Sequence, residues 1–188
     1  MKIGFAMCGS FCTFAPAFEQ LSILRDAEHE LVPIMSFNAS SIDTRFGKAA
    51  EHLAHIEAIC ERKVIRTIED AEPLGPKEKL DLLIICPCTG NTLAKLAAGI
   101  TDTPVTMAAK AHLRGDRPLL IALATNDGLS ANLSNLNAMQ KRKSVYFLPM
   151  RQDDPQKKPH SLVSDFEKLP EAVAAAIRRE QLRPLFLE

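Results

Sequence analysis

The segment Asp81–Cys88, DLLIICPC, constrains the fold more than any other stretch of the chain. A strand that buries one face alternates apolar and polar residues. Here the apolar run is continuous and bounded by turns, as expected of a central parallel strand covered on both faces. Parallel neighbours cannot be joined by hairpins, so helical crossovers must flank such a strand.

The rest of the sequence supplies them. Lys2–Cys8 reads as a strand, and Thr13–Asp26 as a helix with Thr13 as N-cap and Pro16 in the first turn. Glu30–Phe37 reads as a second strand, Asn38–Gly47 as a polar loop, Lys48–Cys60 as an amphipathic helix and Val64–Thr67 as a short strand. Pro73, Gly75 and Pro76 mark a loop. After the central strand come a helix ending at Gly99, a helix over Pro104–Leu113, a strand over Pro118–Thr125, a helix over Leu129–Arg142 and a strand over Ser144–Met150. Residues 151–161 read as a polar, Pro-bearing loop stiff enough to be shaped, expected to serve as a substrate or partner loop, and Pro170–Arg183 as the closing helix. This alternation predicts an α/β, doubly wound, Rossmann-like sheet, mostly parallel, with helices on both faces. At 188 residues the chain is expected to be one domain, 1–188.

In such sheets ligands bind beyond the carboxyl ends of the strands, so the candidate residues lie just after them. Gly9-Ser10 offers a tight turn and a hydroxyl at a helix start, which reads equally as an anion site or as a plain turn and cap. The absence of further glycines argues against a pyrophosphate and for a single terminal phosphate. The twelve residues SFNASSIDTRFG carry four hydroxyls and Arg45; they read either as a phosphate cup or as a solvated loop in which Asp43 or Thr44 caps the next helix. CPCTGNTLAKLAAG is the most specific stretch, with small residues for close approach and Thr89, Asn91 and Thr92 at a helix start. ATNDGLSAN places Thr125, Asn126, Asp127, Gly128 and Ser130 at another. His160 reads as a surface residue.

Lys+Arg and Asp+Glu are both 23, so charge does not indicate a nucleic acid or an anionic membrane as partner. The five cysteines, at C-x3-C and C-x-C spacings besides Cys60, match no usual metal or dithiol motif and read as buried reduced thiols; no metal site is expected. With no signal segment and no run of transmembrane length, the reading is cytoplasmic.

The Cys8-Gly9-Ser10 turn, together with Cys88-Thr89-Gly90-Asn91-Thr92 followed by Lys95, Gly99 and Asp102, resembles the flavoprotein family of homo-oligomeric flavin-containing Cys decarboxylases. Over nearly its full length, including DTRFG and PMRQDDPQKKPHSLV, the chain is similar to the branch of that family that serves dipicolinate synthesis in endospore-forming bacteria. The resemblance implies an FMN site. Its phosphate side falls on Gly9, Ser10, Phe11, Ser36, Asn38 and Ser41, and its ring side on Cys88, Thr89, Gly90, Asn91 and Thr92.

The same resemblance implies oxidation of dihydrodipicolinate to dipicolinate, with Arg45, Arg151 and Lys157 as candidates for the substrate carboxylates. It further implies a partner, the A-type subunit of dipicolinate synthase, which would bring NAD or NADP. A homo-oligomer of three or more copies and residence in the mother cell follow from it as well. Two alternatives accompany it: a binding or assembly module that leaves redox chemistry to that A-type partner, and a phosphopantothenoylcysteine decarboxylase-like enzyme. The decarboxylases carry a catalytic His after the second strand, where this chain has Asn38–Phe46, with His52 and His55 further on. They also carry Pro-Ala-Met-Asn where this chain has ATNDGLSAN.

Overall fold

A computed structural model describes residues 1–75 and 77–188, so of the loop expected at Pro73, Gly75 and Pro76 the last lies outside the described residues. The chain runs β1 (Lys2–Met7), α1 (Phe14–Asp26), β2 (Glu30–Met35), α2 (Phe37–Ser41), α3 (Ala49–Cys60), α4 (Ile68–Ala71), β3 (Leu82–Cys88), α5 (Gly90–Ala98) and α6 (Pro104–Leu113). It continues through β4 (Leu119–Thr125), α7 (Leu133–Gln140), β5 (Val145–Phe147), β6 (Met150–Arg151), β7 (Leu162–Ser164) and α8 (Leu169–Ile177).

The sheet order is β2-β1-β3-β4-β7-β6, with β5 also paired to β4. The β1–β2, β1–β3, β3–β4 and β4–β5 ladders are parallel; β7 pairs antiparallel with both β4 and β6. β3 is central and buried at every residue, as the continuous apolar run predicts. Alternate residues feed two cores. Phe5, Ile84 and Cys86 pack under α1, α3 and α8 with Leu21, Ile56 and Val173. Ala6, Leu83 and Ile85 pack under α5, α6 and α7 with Leu93, Val105 and Leu136. Helices therefore cover both faces of a mostly parallel sheet.

Five local expectations need correction. The polar stretch after β2 starts with helix α2, because Ser36 accepts a hydrogen bond from the Ala39 amide and so caps a turn that composition hid. Val64–Thr67 is no strand; Ile65 forms only an isolated bridge with Ile34. The segment 151–161 is not wholly irregular: Met150–Arg151 and Leu162–Ser164 form a two-stranded ribbon around it. α7 begins at Leu133 because Asp127 and Ser130 hold the preceding residues in turns. α8 ends at Ile177, where Arg179 turns into the left-handed region at φ 63°.

Candidate functional site

β1 connects to neighbours on opposite sides, β2 and β3, so the crevice beyond the ends of β1 and β3 is the switch point of the sheet. The backbone closes that end tightly. The Cys8 amide donates to the Pro87 carbonyl at 3.0 Å, and the Ser36 amide to Met7 at 3.0 Å. After Gly9-Ser10 the chain makes one 3-10 turn, Phe11–Thr13, before α1. Thr13 precedes α1 as expected but does not cap it with its side chain; its hydroxyl donates back to the Ser10 carbonyl at 2.8 Å. At Gly9 a Cβ would stand 3.4 Å from Asn38 Cβ and from the Phe11 ring, so the turn brings the two loops into close approach.

Thr89 caps α5 by accepting from the Thr92 amide at 3.3 Å, and its hydroxyl donates to Thr92 Oγ1 at 3.1 Å. The Thr92 hydroxyl donates in turn to Cys8 Sγ at 3.3 Å. Burial pushes the Cys8 thiol up to about 11, so it is a neutral acceptor here. Asp43 caps α3, accepting from the Ala49 amide at 2.8 Å, which settles the capping alternative for that residue.

Two adjoining cavities open at the switch point. The first, about 410 Å³, is lined by Gly9, Ser10, Phe11, Thr89, Gly90 and Asn91, and on its far wall by Thr125, Asn126, Asp153, Lys158 and Ser161. The second, about 340 Å³, is lined by Gly9, Ser36, Asn38, Thr89, Asn91 and Thr92, with Lys95, Asp102 and Thr103. Gly9, Thr89 and Asn91 belong to both.

The structure thus brings together Gly9, Ser10, Phe11, Ser36, Asn38, Thr89, Gly90, Asn91 and Thr92. It leaves two candidates out. Cys88 is fully buried in the core beneath, and Ser41 is exposed, its hydroxyl donating to the Phe37 carbonyl at 2.7 Å. Of the three cations, Arg45 sits over the Phe46 ring, 4.8 Å from its centroid, and Arg151 pairs with Asp165. The backbone amide of Lys157 donates to Asp154, and the cation lining the first cavity is its neighbour Lys158.

Lys158 is paired with Asp153 at 2.6 Å, and Ser161 also donates to Asp153. Both donors hold the Asp153 carboxyl below its usual range, Lys158 foremost. Lys95 likewise binds both oxygens of Asp102 at 2.9 Å. The far wall is made by Thr125 and Asn126 after β4 and by the loop expected over 151–161, which the pairing of the Leu162–Ser164 strand with the end of β4 folds back over the crevice. His52 and His55 lie outside both cavities, against the Phe18 ring. No group of three or more His, Cys, Asp or Glu side chains is arranged to hold a metal ion among the described residues, and none of their helices is long and apolar enough to cross a membrane.

The family model described as Flavoprotein matches residues 1–176. The chain belongs to the flavoprotein family. It is 43% identical over 187 residues to the B-type subunit of dipicolinate synthase of Bacillus subtilis (strain 168), covering 100% of this chain and 94% of that one. The crystal structure of the B-type subunit of dipicolinate synthase from Bacillus halodurans C superposes with a TM-score of 0.91 at 38% identity, over 100% of this chain and 96% of the other. The FMN-dependent cysteine decarboxylase SpaF shares the fold, with a TM-score of 0.69 at 21% identity over 95% and 97% of the two chains.

Proposed function

We propose that this flavoprotein-family chain works as the B-type subunit of a dipicolinate synthase, holding FMN in the paired cavities while dihydrodipicolinate is oxidised to dipicolinate. The full-length likeness to that subunit in Bacillus subtilis carries the reading. The cavity linings fit the cofactor: Gly9 and Gly90 offer bare backbone, and Ser10, Ser36, Thr89 and Thr92 offer hydroxyls in the two adjoining cavities. Ser10 and the Gly9 turn would hold the phosphate together with Ser36 and Asn38, and the Thr89–Thr92 segment would face the ring. Bound there, FMN supplies a two-electron acceptor.

Aromatisation of the dihydropyridine releases a hydride and a proton, and the substrate brings two carboxylates. Lys158 takes the role of carboxylate partner that sequence reasoning gave to Lys157, by exchanging Asp153 for the substrate. Exposed Phe37, Ile42 and Phe46 beside the crevice fit contact with further copies of the chain. In a second reading the chain binds and assembles while a nicotinamide-dependent A-type partner performs the redox step. One observation favours it: Lys158 and Lys95 at the cavities are both already paired.

The test is dipicolinate formation by the A-type partner on its own, by this chain on its own and by the mixture, each with and without FMN. Activity of the mixture that rises with FMN supports the first reading. Full activity of a flavin-free mixture supports the second. Activity of the A-type partner that this chain leaves unchanged overturns both.

A further inference from the structure

Asp127 lies outside both cavities, yet it stands directly behind the segment that separates them. One carboxylate oxygen accepts from the Thr125 hydroxyl at 2.6 Å and from Asn132 Nδ2 at 2.9 Å; the other accepts from the same Asn132 amide at 2.9 Å. Asn132 is buried, and its own oxygen accepts from Asn135 Nδ2 at 3.0 Å, so its amide group is fixed in orientation. Against this cluster rests Gly90, the first residue of α5. A Cβ there would lie 2.5 Å from Asn132 Nδ2, 2.5 Å from Thr125 Oγ1 and 2.8 Å from Asp127 Oδ1. A side chain there would have to push these three groups out of their hydrogen-bonded places. The carboxylate also faces the positive end of the α5 dipole.

We propose that Asp127 is a positioning residue: through Thr125 and Asn132 it forms the platform that holds Gly90 and Asn91, and so sets the wall shared by the two cavities. The proposal rests on the reading of these cavities as a flavin site. Asp127 shapes that site without touching the ligand. The platform is rigid because every donor aimed at Asp127 comes from a group with a second fixed bond or a place in β4. Removing the carboxylate leaves two part-buried donors without an acceptor and frees Gly90 to shift.

The test compares Asp127→Ala with Asp127→Asn in the full-length protein. Asn keeps one oxygen able to accept from both Thr125 and Asn132, but its amide nitrogen replaces the oxygen 2.9 Å from Asn132 Nδ2 and so meets that donor with another. Amide hydrogen exchange over residues 89–92 of the flavin-free protein reads the platform itself, and FMN titration reads its consequence. The expected result for Asp127→Ala is exchange about tenfold faster and FMN binding about tenfold weaker, with Asp127→Asn between the parent and Asp127→Ala on both. If Asp127→Ala does not fold, Thr125→Val is expected to shift both readouts the same way. Parent-like exchange and FMN affinity in Asp127→Ala, or in Thr125→Val where that variant replaces it, overturns the proposal. Absence of FMN binding by the parent protein overturns the flavin reading instead, and the exchange data still decide the role of Asp127.

Discussion

The hydroxyl of Thr92 lies 3.3 Å from the sulfur of Cys8, joining residues 84 positions apart. The contact ties the turn after β1 to the start of α5, the two segments that form the switch-point crevice. Thr92→Val keeps the shape and removes the hydroxyl that also accepts from Thr89. The expected cost is about 1 kcal/mol of stability, read by urea denaturation, because the Thr89 hydroxyl is part-buried and loses its acceptor. A stability equal to that of the parent would show the contact to be idle.

Ser10 lines the larger cavity, whereas Ser41 is exposed and bonded to Phe37. Two like charges at roughly 4 Å repel by about 4 kcal/mol at an effective dielectric of about 20. Solvent access reduces this, so Ser10→Asp is expected to weaken FMN binding by about 10- to 100-fold. Ser41→Asp is expected to leave it unchanged. Fluorescence titration of both variants checks the pair; equal effects would remove Ser10 from the phosphate side.

Lys158 and Lys157 are adjacent in sequence and differ in place. Lys158 faces the cavity against Asp153. Lys158→Ala is expected to raise KM for dihydrodipicolinate about tenfold in the mixture with the A-type partner. Lys157→Ala is expected to behave as the parent. Steady-state kinetics of the two variants separate them.

His112 is fully buried, and its Nε2 donates to the Pro118 carbonyl at 2.7 Å. Burial pushes its pKa down from 6.5 to about 4. The unfolded chain therefore takes up the proton first. The stability this residue contributes is intact above the unfolded value of 6.5 and drains away as pH falls toward the folded value of about 4. The loss across that window is about 3 kcal/mol, and His112→Asn should flatten it. Denaturation curves at both ends of the window test this; equal pH dependence in parent and variant would contradict it.

The core of the fold was legible because burial on both faces writes itself into composition: DLLIICPC has no polar position to misread after its first residue. The Gly9-Ser10 and Thr89–Thr92 segments were legible because sheet topology alone brings strand ends together. What sequence did not carry was side-chain pairing over distance. Gln181 closes the edge of β5 by accepting from the Phe147 amide at 2.8 Å and donating to its carbonyl at 2.6 Å, a partnership no local pattern announces. The choice of Lys158 over Lys157 likewise depends on how the β6–β7 ribbon is set on β4. Ser36 and Asp43 look alike in a polar stretch, yet each caps a different helix.

On the proposed function, the crevice beyond the ends of β1 and β3 holds FMN. Titration of the purified, flavin-free chain with FMN, followed by visible absorption, decides this. The expected result is saturable binding of about one FMN per chain at micromolar or lower concentration, with a perturbed flavin spectrum. An unperturbed spectrum and no retention of FMN at micromolar concentration would contradict it.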